Sequence, residues 1–143
     1  MAIAYKLAVP ADAAILAPMN KRMIEDSGHR NPMTVPELET RMETWLARGE
    51  YQVVYAEEDG DILGYALFKR EPDHVHVRQL FIERNKRTRG YGRMLFQWAE
   101  RNLWAGGRIR MEVLADNRMG LAFWKAMGFQ DYALMMEKEP ERK

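Results

Sequence analysis

The spacing of apolar residues changes partway along the chain, and this change limits the fold more than any other feature of the sequence. Apolar side chains first recur at helical spacing, and from Tyr51 onward they alternate as in strands. The helical stretches are 12–26 and 36–48, and the alternating stretches are 51–56, 62–68 and 74–82. The turn at residues 58–61 makes a hairpin of the first two strands. A hairpin set of this kind, followed by a β-α-β order, predicts a mixed sheet with helices on its faces.

The rest of the chain extends this pattern. Residues 3–8 form a short strand, and a basic loop at 84–92 precedes a helix at 93–103. A strand at 109–113, a helix between Asn117 and Gly128, and a last strand at 132–136 follow. Pro18 should kink or break the first helix. We therefore expect an α/β (α+β) fold with a mixed, mostly antiparallel central sheet of six to seven strands, flanked by about four helices.

Length and composition exclude several classes of protein. A chain of 143 residues fits one domain over 1–143, with 137–143 as a solvated tail. It has no cysteine, which excludes disulfides, cysteine zinc ligands and a cysteine nucleophile. A net charge of +1 is not that of a nucleic-acid binder, and no apolar run could cross a bilayer. We expect a cytoplasmic protein that binds neither nucleic acid nor membrane.

The loop after the third alternating strand is the clearest candidate site. It carries four basic side chains, contains Gly90 and Gly92, and opens a helix. Glycine permits positive φ and close approach of a ligand to the backbone. A helix start adds free N–H groups and the positive end of the helix dipole. The loop is therefore either a phosphate or pyrophosphate site or a solvated basic loop, and spacing alone does not decide between them.

Two common phosphate motifs do not fit this loop. No Gly-x-x-x-x-Gly-Lys-Ser/Thr string occurs, which excludes a Walker loop. The dinucleotide fingerprint needs a third glycine where this chain has Leu95. What remains is Arg87-x-x-Gly90-x-Gly92 after a strand.

That string resembles the acyl-CoA loop of the GCN5-related N-acetyltransferase (GNAT) family. A second match begins at Asn117, contains Phe123-Trp124 and ends at Gly128-Phe129. It is similar to the family's later motif, which contacts the pantetheine arm. The order of elements also resembles the family fold over essentially the whole chain.

The resemblance implies a binding site for acetyl-CoA. The glycine loop would hold the pyrophosphate on its backbone N–H groups, and the preceding strand, which commonly carries a β-bulge, would pair with the pantetheine amides. An N–H of that strand would stabilise the oxyanion of the transition state. Asn117 would contact the arm, cap its helix, or do both. The implied binding residues are Leu80, Phe81, Ile82, Arg87, Thr88, Arg89, Gly90, Tyr91, Gly92, Arg93, Asn117, Phe123 and Trp124.

The implied reaction is direct attack of a primary amine on the thioester in a ternary complex. Many relatives have a tyrosine acid at the position of Trp124, whose indole N–H does not titrate usefully. Trp124 would then pack on the arm or donate to the sulfur, and Tyr132 or Tyr91 would be the acid. His76 is the candidate base, since a period of two puts it on the face of Leu80. Glu112 is a rival base, and Glu25, Asp26 and Glu83 are further carboxylate candidates for the role.

The acceptor groove of such proteins lies between the first two helices, here residues 23–39, where acidic and basic side chains are mixed. The acceptor would be an amine of a small molecule or peptide. We expect no metal, because three scattered histidines make a poor ligand set. A non-catalytic acyl-CoA sensor and a nucleotide- or RNA-binding domain are the alternatives. Relatives are often homodimers, which extends to this chain by analogy.

Overall fold

The structure, a computed structural model, describes residues 2–141. Its internal contacts group the residues up to Glu112 into one unit and the residues from Val113 into a second. The strands are β1 (Ala4–Leu7), β2 (Gln52–Glu58), β3 (Asp61–Arg70), β4 (Val75–Ile82) and β5 (Ile109–Met111). The helices are α1 (Ala13–Ser27), α2 (Val35–Arg48), α3 (Tyr91–Asn102) and α4 (Arg118–Ala126).

One sheet contains all five described strands in the order β1-β2-β3-β4-β5. The pairs are antiparallel except β4 and β5, which are parallel because α3 crosses between them. The mixed, mostly antiparallel sheet with four α-helices is thus confirmed. The count of six to seven strands was too high for the part of the chain described.

The error in strand number lies in the predicted last strand, residues 132–136. The described segment has no regular secondary structure. Tyr132, Leu134, Met135 and Met136 are 80–88% exposed, so no apolar face of this segment is buried. Alternation alone does not make a strand, because the backbone also needs a partner strand for its hydrogen bonds. The predicted tail, 137–143, is described as far as Glu141, and its last two residues lie outside the described part.

Helix α1 runs through Pro18 without a break. Proline removes one main-chain hydrogen bond, but Leu16, Ala17 and Met19 beside it are almost fully buried and hold the helix on the sheet. Helix α2 begins with a capping box formed by Thr34 and Glu37. None of the helices within residues 2–141 is long and apolar enough to cross a membrane.

Both faces of the sheet are covered within the first unit. Leu16 and Met19 of α1 and Met42 of α2 pack with Leu67 and Phe81 on one face. On the other face Phe68 meets Trp104, which also contacts Phe96 of α3, with ring centroids 5.4 and 5.6 Å apart. The sheet is therefore held from both sides, and β4 and β5 at its edge carry the site described next.

Candidate active site

A β-bulge at Arg78 interrupts strand β4. Leu67 pairs with Gln79 and Phe68 with Val77, so Arg78 has no partner on β3. The extra residue reverses the alternation of side chains that follow it. The expectation that His76 shares a face with Leu80 is therefore wrong: the register puts His76 on the face of Gln79, toward α1 and α2, and Leu80 on the opposite one.

The carboxyl half of β4 leaves its neighbour β5. The parallel ladder ends at Val77 and Met111, whereas β4 continues to Ile82. The main-chain N–H of Glu83 donates to the Leu63 carbonyl at 2.9 Å, which sets the phase of the ladder with β3. Main-chain groups of successive residues in a strand point alternately to its two sides. Those of Leu80 and Ile82 therefore point away from β3, to the open edge that β5 does not cover. Among the described strands none pairs with this end of β4 at that edge, where its backbone presents donors and acceptors.

The predicted glycine loop presents a run of free backbone donors. Within the described part of the chain, the main-chain N–H groups of residues 88–93 have no acceptor, and the Met94 N–H is the first to bond, to the Gly90 carbonyl at 3.0 Å. Gly90 caps α3 with φ of 81°, a conformation that favours glycine, and Thr88 also has a positive φ of 67°. Gly92 lies in the first turn of α3, which begins two residues earlier than expected. Consecutive free N–H groups at a helix start are suited to an anion.

Arg87 fastens this loop to the end of β4. Its Nε donates to the Ile82 carbonyl at 2.8 Å, and its terminal nitrogen donates to Asp26 at 2.7 Å. Arg84 also contacts Asp26, whose side chain is 18% exposed. Desolvation opposes ionisation of Asp26, but hydrogen bonds from Arg87 and Arg84 outweigh it and hold the pKa of this carboxyl below its ordinary value. The Arg87 side chain is thus already engaged by the protein itself.

The remaining loop side chains differ in exposure. Thr88, Arg89 and Arg93 are exposed and Tyr91 is half-buried. Together with Leu80, Phe81 and Ile82 they form one continuous segment, joined through the Arg87 contacts. The predicted coenzyme residues of the first unit are therefore adjacent in the structure, although their contact with coenzyme A stays a prediction.

The two candidate bases lie elsewhere in the first unit. His76 is half-buried in the part of β4 that still pairs with β5, opposite Arg110. Glu112 follows β5 directly and is exposed. Their catalytic roles stay predictions. In residues 2–141 no group of three or more histidine or carboxylate side chains is arranged to hold a metal ion.

The second unit contains the later motif. Asn117 caps α4, and its Oδ1 accepts a hydrogen bond from the Gly120 N–H at 3.0 Å, which confirms the helix-cap role. Trp124 is 8% exposed and stacks edge-on with Phe123 and Phe129, with ring centroids 5.0 and 5.1 Å away. Tyr132, the candidate acid, is 80% exposed and follows α4 in an irregular segment.

Sequence reasoning missed a buried polar pair beneath the bulge. The Tyr65 hydroxyl donates to Gln79 Oε1 at 2.7 Å, and burial raises the pKa of this tyrosine well above its ordinary range. The sequence did contain an indication of this pair, because a glutamine amid the apolar residues of a strand predicts a buried hydrogen bond. The pair fixes β4 immediately after Arg78.

Comparison with known proteins shows which family the sequence matches and which folds the structure is similar to. The family model described as the acetyltransferase (GNAT) family matches residues 21–129. A possible acetyltransferase from Clostridium difficile 630 has a TM-score of 0.81 at 11% identity, over 100% of both chains. A predicted acetyltransferase with acetyl-CoA from Clostridium acetobutylicum has a TM-score of 0.70 at 21% identity, over 96% of both chains. The PaiA N-acetyltransferase from Thermoplasma acidophilum, in complex with coenzyme A, has a TM-score of 0.73 at 16% identity, over 91% of both chains.

No curated protein matches the chain. The structural similarities are at low identity and show the fold, whereas the family model covers most of the sequence. On that match, and on a fold with a bulged β4, an open β4 edge and a glycine loop, the chain belongs to the GNAT family of acetyltransferases.

Proposed function

We propose that this chain transfers the acetyl group of acetyl-CoA directly to a primary amine of a small molecule or peptide, in a ternary complex formed by one domain of residues 1–143. The observation that carries the proposal is the run of free N–H groups at residues 88–93 beside the open edge of β4. A cytoplasmic location, expected from the sequence, is part of the proposal.

The free N–H groups suit the pyrophosphate of coenzyme A. Six consecutive backbone donors and the positive end of the α3 dipole favour a doubly charged anion. Because Arg87 is tied to Ile82 and Asp26, backbone rather than this side chain supplies most of the contacts. Exposed Arg89 and Arg93 would add charge at the rim.

The open edge of β4 suits the pantetheine arm and the acetyl carbonyl. Extended amides of the arm would pair with Leu80 and Ile82 as an added strand does. A main-chain N–H of the same edge would stabilise the negative charge that develops on the carbonyl oxygen. The solved neighbours that contain acetyl-CoA or coenzyme A support this choice of donor.

In the proposed step the amine nitrogen attacks the thioester carbon, the carbon–sulfur bond breaks, and coenzyme A leaves as a thiolate. The ammonium must first lose a proton, which costs roughly 4–5 kcal/mol at pH 7 for a pKa near 10.4. His76 and Glu112 are the proposed bases. A thiol with a pKa of about 8.5 needs little help to leave, and Tyr132 or Tyr91 would protonate it.

A second candidate function is acyl-CoA sensing without turnover. The observation that favours it is Trp124, which occupies the position of the usual tyrosine acid and is packed between Phe123 and Phe129. A sensor would bind acetyl-CoA as tightly as an enzyme does, so binding alone does not separate the two functions.

Calorimetric titration with acetyl-CoA, followed by initial rates at varied acetyl-CoA and amine, tests the proposal. We expect one binding site per chain and intersecting double-reciprocal lines, as a ternary complex requires. Intact-protein mass should show no acetyl adduct without amine. Binding without turnover for any amine would favour the sensor, and absence of binding would contradict both functions.

A further inference from the structure

Two arginine side chains converge on one tryptophan at the face of the sheet that α1 and α2 cover. The Arg41 guanidinium of α2 lies 4.5 Å from the centre of the Trp45 ring, and that of Arg78, at the bulge, lies 4.9 Å from it. Arg78 also donates to the Tyr51 hydroxyl at 3.3 Å. We call Arg41 and Arg78 the guanidinium pair.

No carboxylate within residues 2–141 neutralises the guanidinium pair. The hydrogen bond from Arg41 goes to Asn20 Oδ1 at 3.5 Å, and its Nε is buried without a partner. The Asn20 side chain is fully buried, and its Nδ2 also has no partner. Burial and the charge of Arg78 lower the pKa of Arg41. Two arginines on one ring, with at least one unused donor and no acidic partner among the described residues, are suited to share an anion.

Three other arginines near the site, Arg22, Arg84 and Arg87, have acidic partners, unlike the guanidinium pair. Arg22 forms two hydrogen bonds with Glu83, at 2.9 and 3.0 Å. Arg84 and Arg87 share Asp26. Glu83 and Asp26, which could otherwise have attracted a cation, are thus already engaged with arginine.

The guanidinium pair is close to the proposed reaction centre. Arg78 precedes Leu80, whose main chain lies at the open edge of β4, by two residues, a spacing of roughly 7 Å along a strand. Arg78 is exposed and Arg41 half-buried, so a ligand from solvent can reach them. An acceptor whose amine is at that edge could place a second group against the pair.

We propose that the guanidinium pair binds an oxyanion of the acceptor, so that the preferred substrate is a primary amine that also carries a carboxylate or a phosphate. The inference rests on the proposed acetyl transfer. Arginine binds both oxyanions with two parallel hydrogen bonds, and it repels a second cation. Polyamines and lysine-rich peptides are therefore poor acceptors.

The test compares matched acceptors and matched variants. L-amino acids are assayed against their carboxamides, and phosphoethanolamine against ethanolamine, with spermidine as a polycation. We expect kcat/KM to be about 10- to 100-fold higher for one oxyanion series than for its neutral partners. R41Q and R78Q should remove that preference with the KM for acetyl-CoA unchanged, and R78K should retain part of it. Arg48, exposed on α2 with only a 3.9 Å contact to Glu50, provides the control R48Q.

If no acceptor is turned over, the binding of anionic ligands tests the inference instead. Melting temperatures of the acetyl-CoA-saturated protein are measured with N-acetyl-L-amino acids, their amides and inorganic phosphate. A stabilisation by the anions that R78Q abolishes and R48Q keeps would support the inference. Equal turnover of charged and neutral amines, or equal anion effects in wild type and R78Q, would overturn it. Acetyl-CoA binding, followed in the same samples, shows separately whether the proposed function fails.

Discussion

Asp26 is the residue on which the position of the glycine loop depends. It comes from the end of α1, yet it accepts hydrogen bonds from Arg84 and Arg87 of the loop. Arg87 in turn holds the last carbonyl of β4. One carboxylate thus connects a helix, a strand and the loop proposed to hold the coenzyme.

Replacing Asp26 by Asn should destabilise the protein by about 1–2 kcal/mol at pH 7, because two charge-assisted hydrogen bonds weaken. The pKa of Asp26 is lowered in the fold, so its stabilising effect is present at neutral pH and is lost as the pH falls below about 4. The difference in melting temperature between wild type and D26N should therefore disappear in acid. E43Q, at an exposed position of α2, is the control. A difference that persists at low pH would contradict the assigned charge.

At Gly90 the backbone itself is the functional element. We expect G90A to weaken acetyl-CoA binding at least tenfold, because a residue with φ of 81° tolerates a side chain poorly and the N–H groups beside it would shift. Gly49, with φ of 71° at the end of α2, offers a control with matched strain. Calorimetry should show normal binding for G49A. Equal loss in both variants would mean that strain alone, and not the loop, explains the effect.

Among the elements, β4 determines the geometry of the site. Its bulge reverses the facing of its side chains, and its carboxyl half leaves β5 to form the open edge. Gly64 of β3 makes room for this strand: an added Cβ would overlap the Phe81 carbonyl oxygen and lie 2.6 Å from Ile82 Cδ1. The position of β4 therefore depends on a glycine in the neighbouring strand.

The substitution G64A should displace β4 at the point where the acetyl group would bind. We expect a loss of stability of about 1–3 kcal/mol, as for overpacking elsewhere, together with weaker acetyl-CoA binding. In G107A the new methyl would meet its nearest neighbour at 3.6 Å, an ordinary contact, so this variant should behave as wild type. Urea unfolding and calorimetry measure the two effects. Unchanged binding in G64A would argue against the β4 edge as the site of the acetyl group.

The elements could be predicted from the sequence where periodicity and caps agree, as in α2, with its proline near the start and glycine at the end. The bulge could not be located from the sequence, because Leu80, Phe81 and Ile82 after it are all apolar and hide the change of alternation. The predicted face of His76 was wrong for that reason. The segment at 132–136 alternates like a strand but forms no regular secondary structure. Arg78 was visible as a charge, whereas its convergence with Arg41 depends on how α2 packs on the sheet.

Over the whole molecule, the nearly neutral net charge does not indicate where groups suited to anions are located. The net charge is only +1, yet the free N–H groups of the glycine loop and the guanidinium pair place hydrogen-bond donors at two separate positions. Both are suited to anions, one on each proposed substrate. A homodimer, expected from relatives, stays a prediction.

Release of thiol from acetyl-CoA in the presence of amines tests the central claim most directly. The chain has no cysteine, so a thiol reagent sees only coenzyme A. We predict release that depends on both the protein and the amine, with one acetylated amine formed per thiol. Absence of release for every class of amine, together with absence of acetyl-CoA binding, would contradict the account.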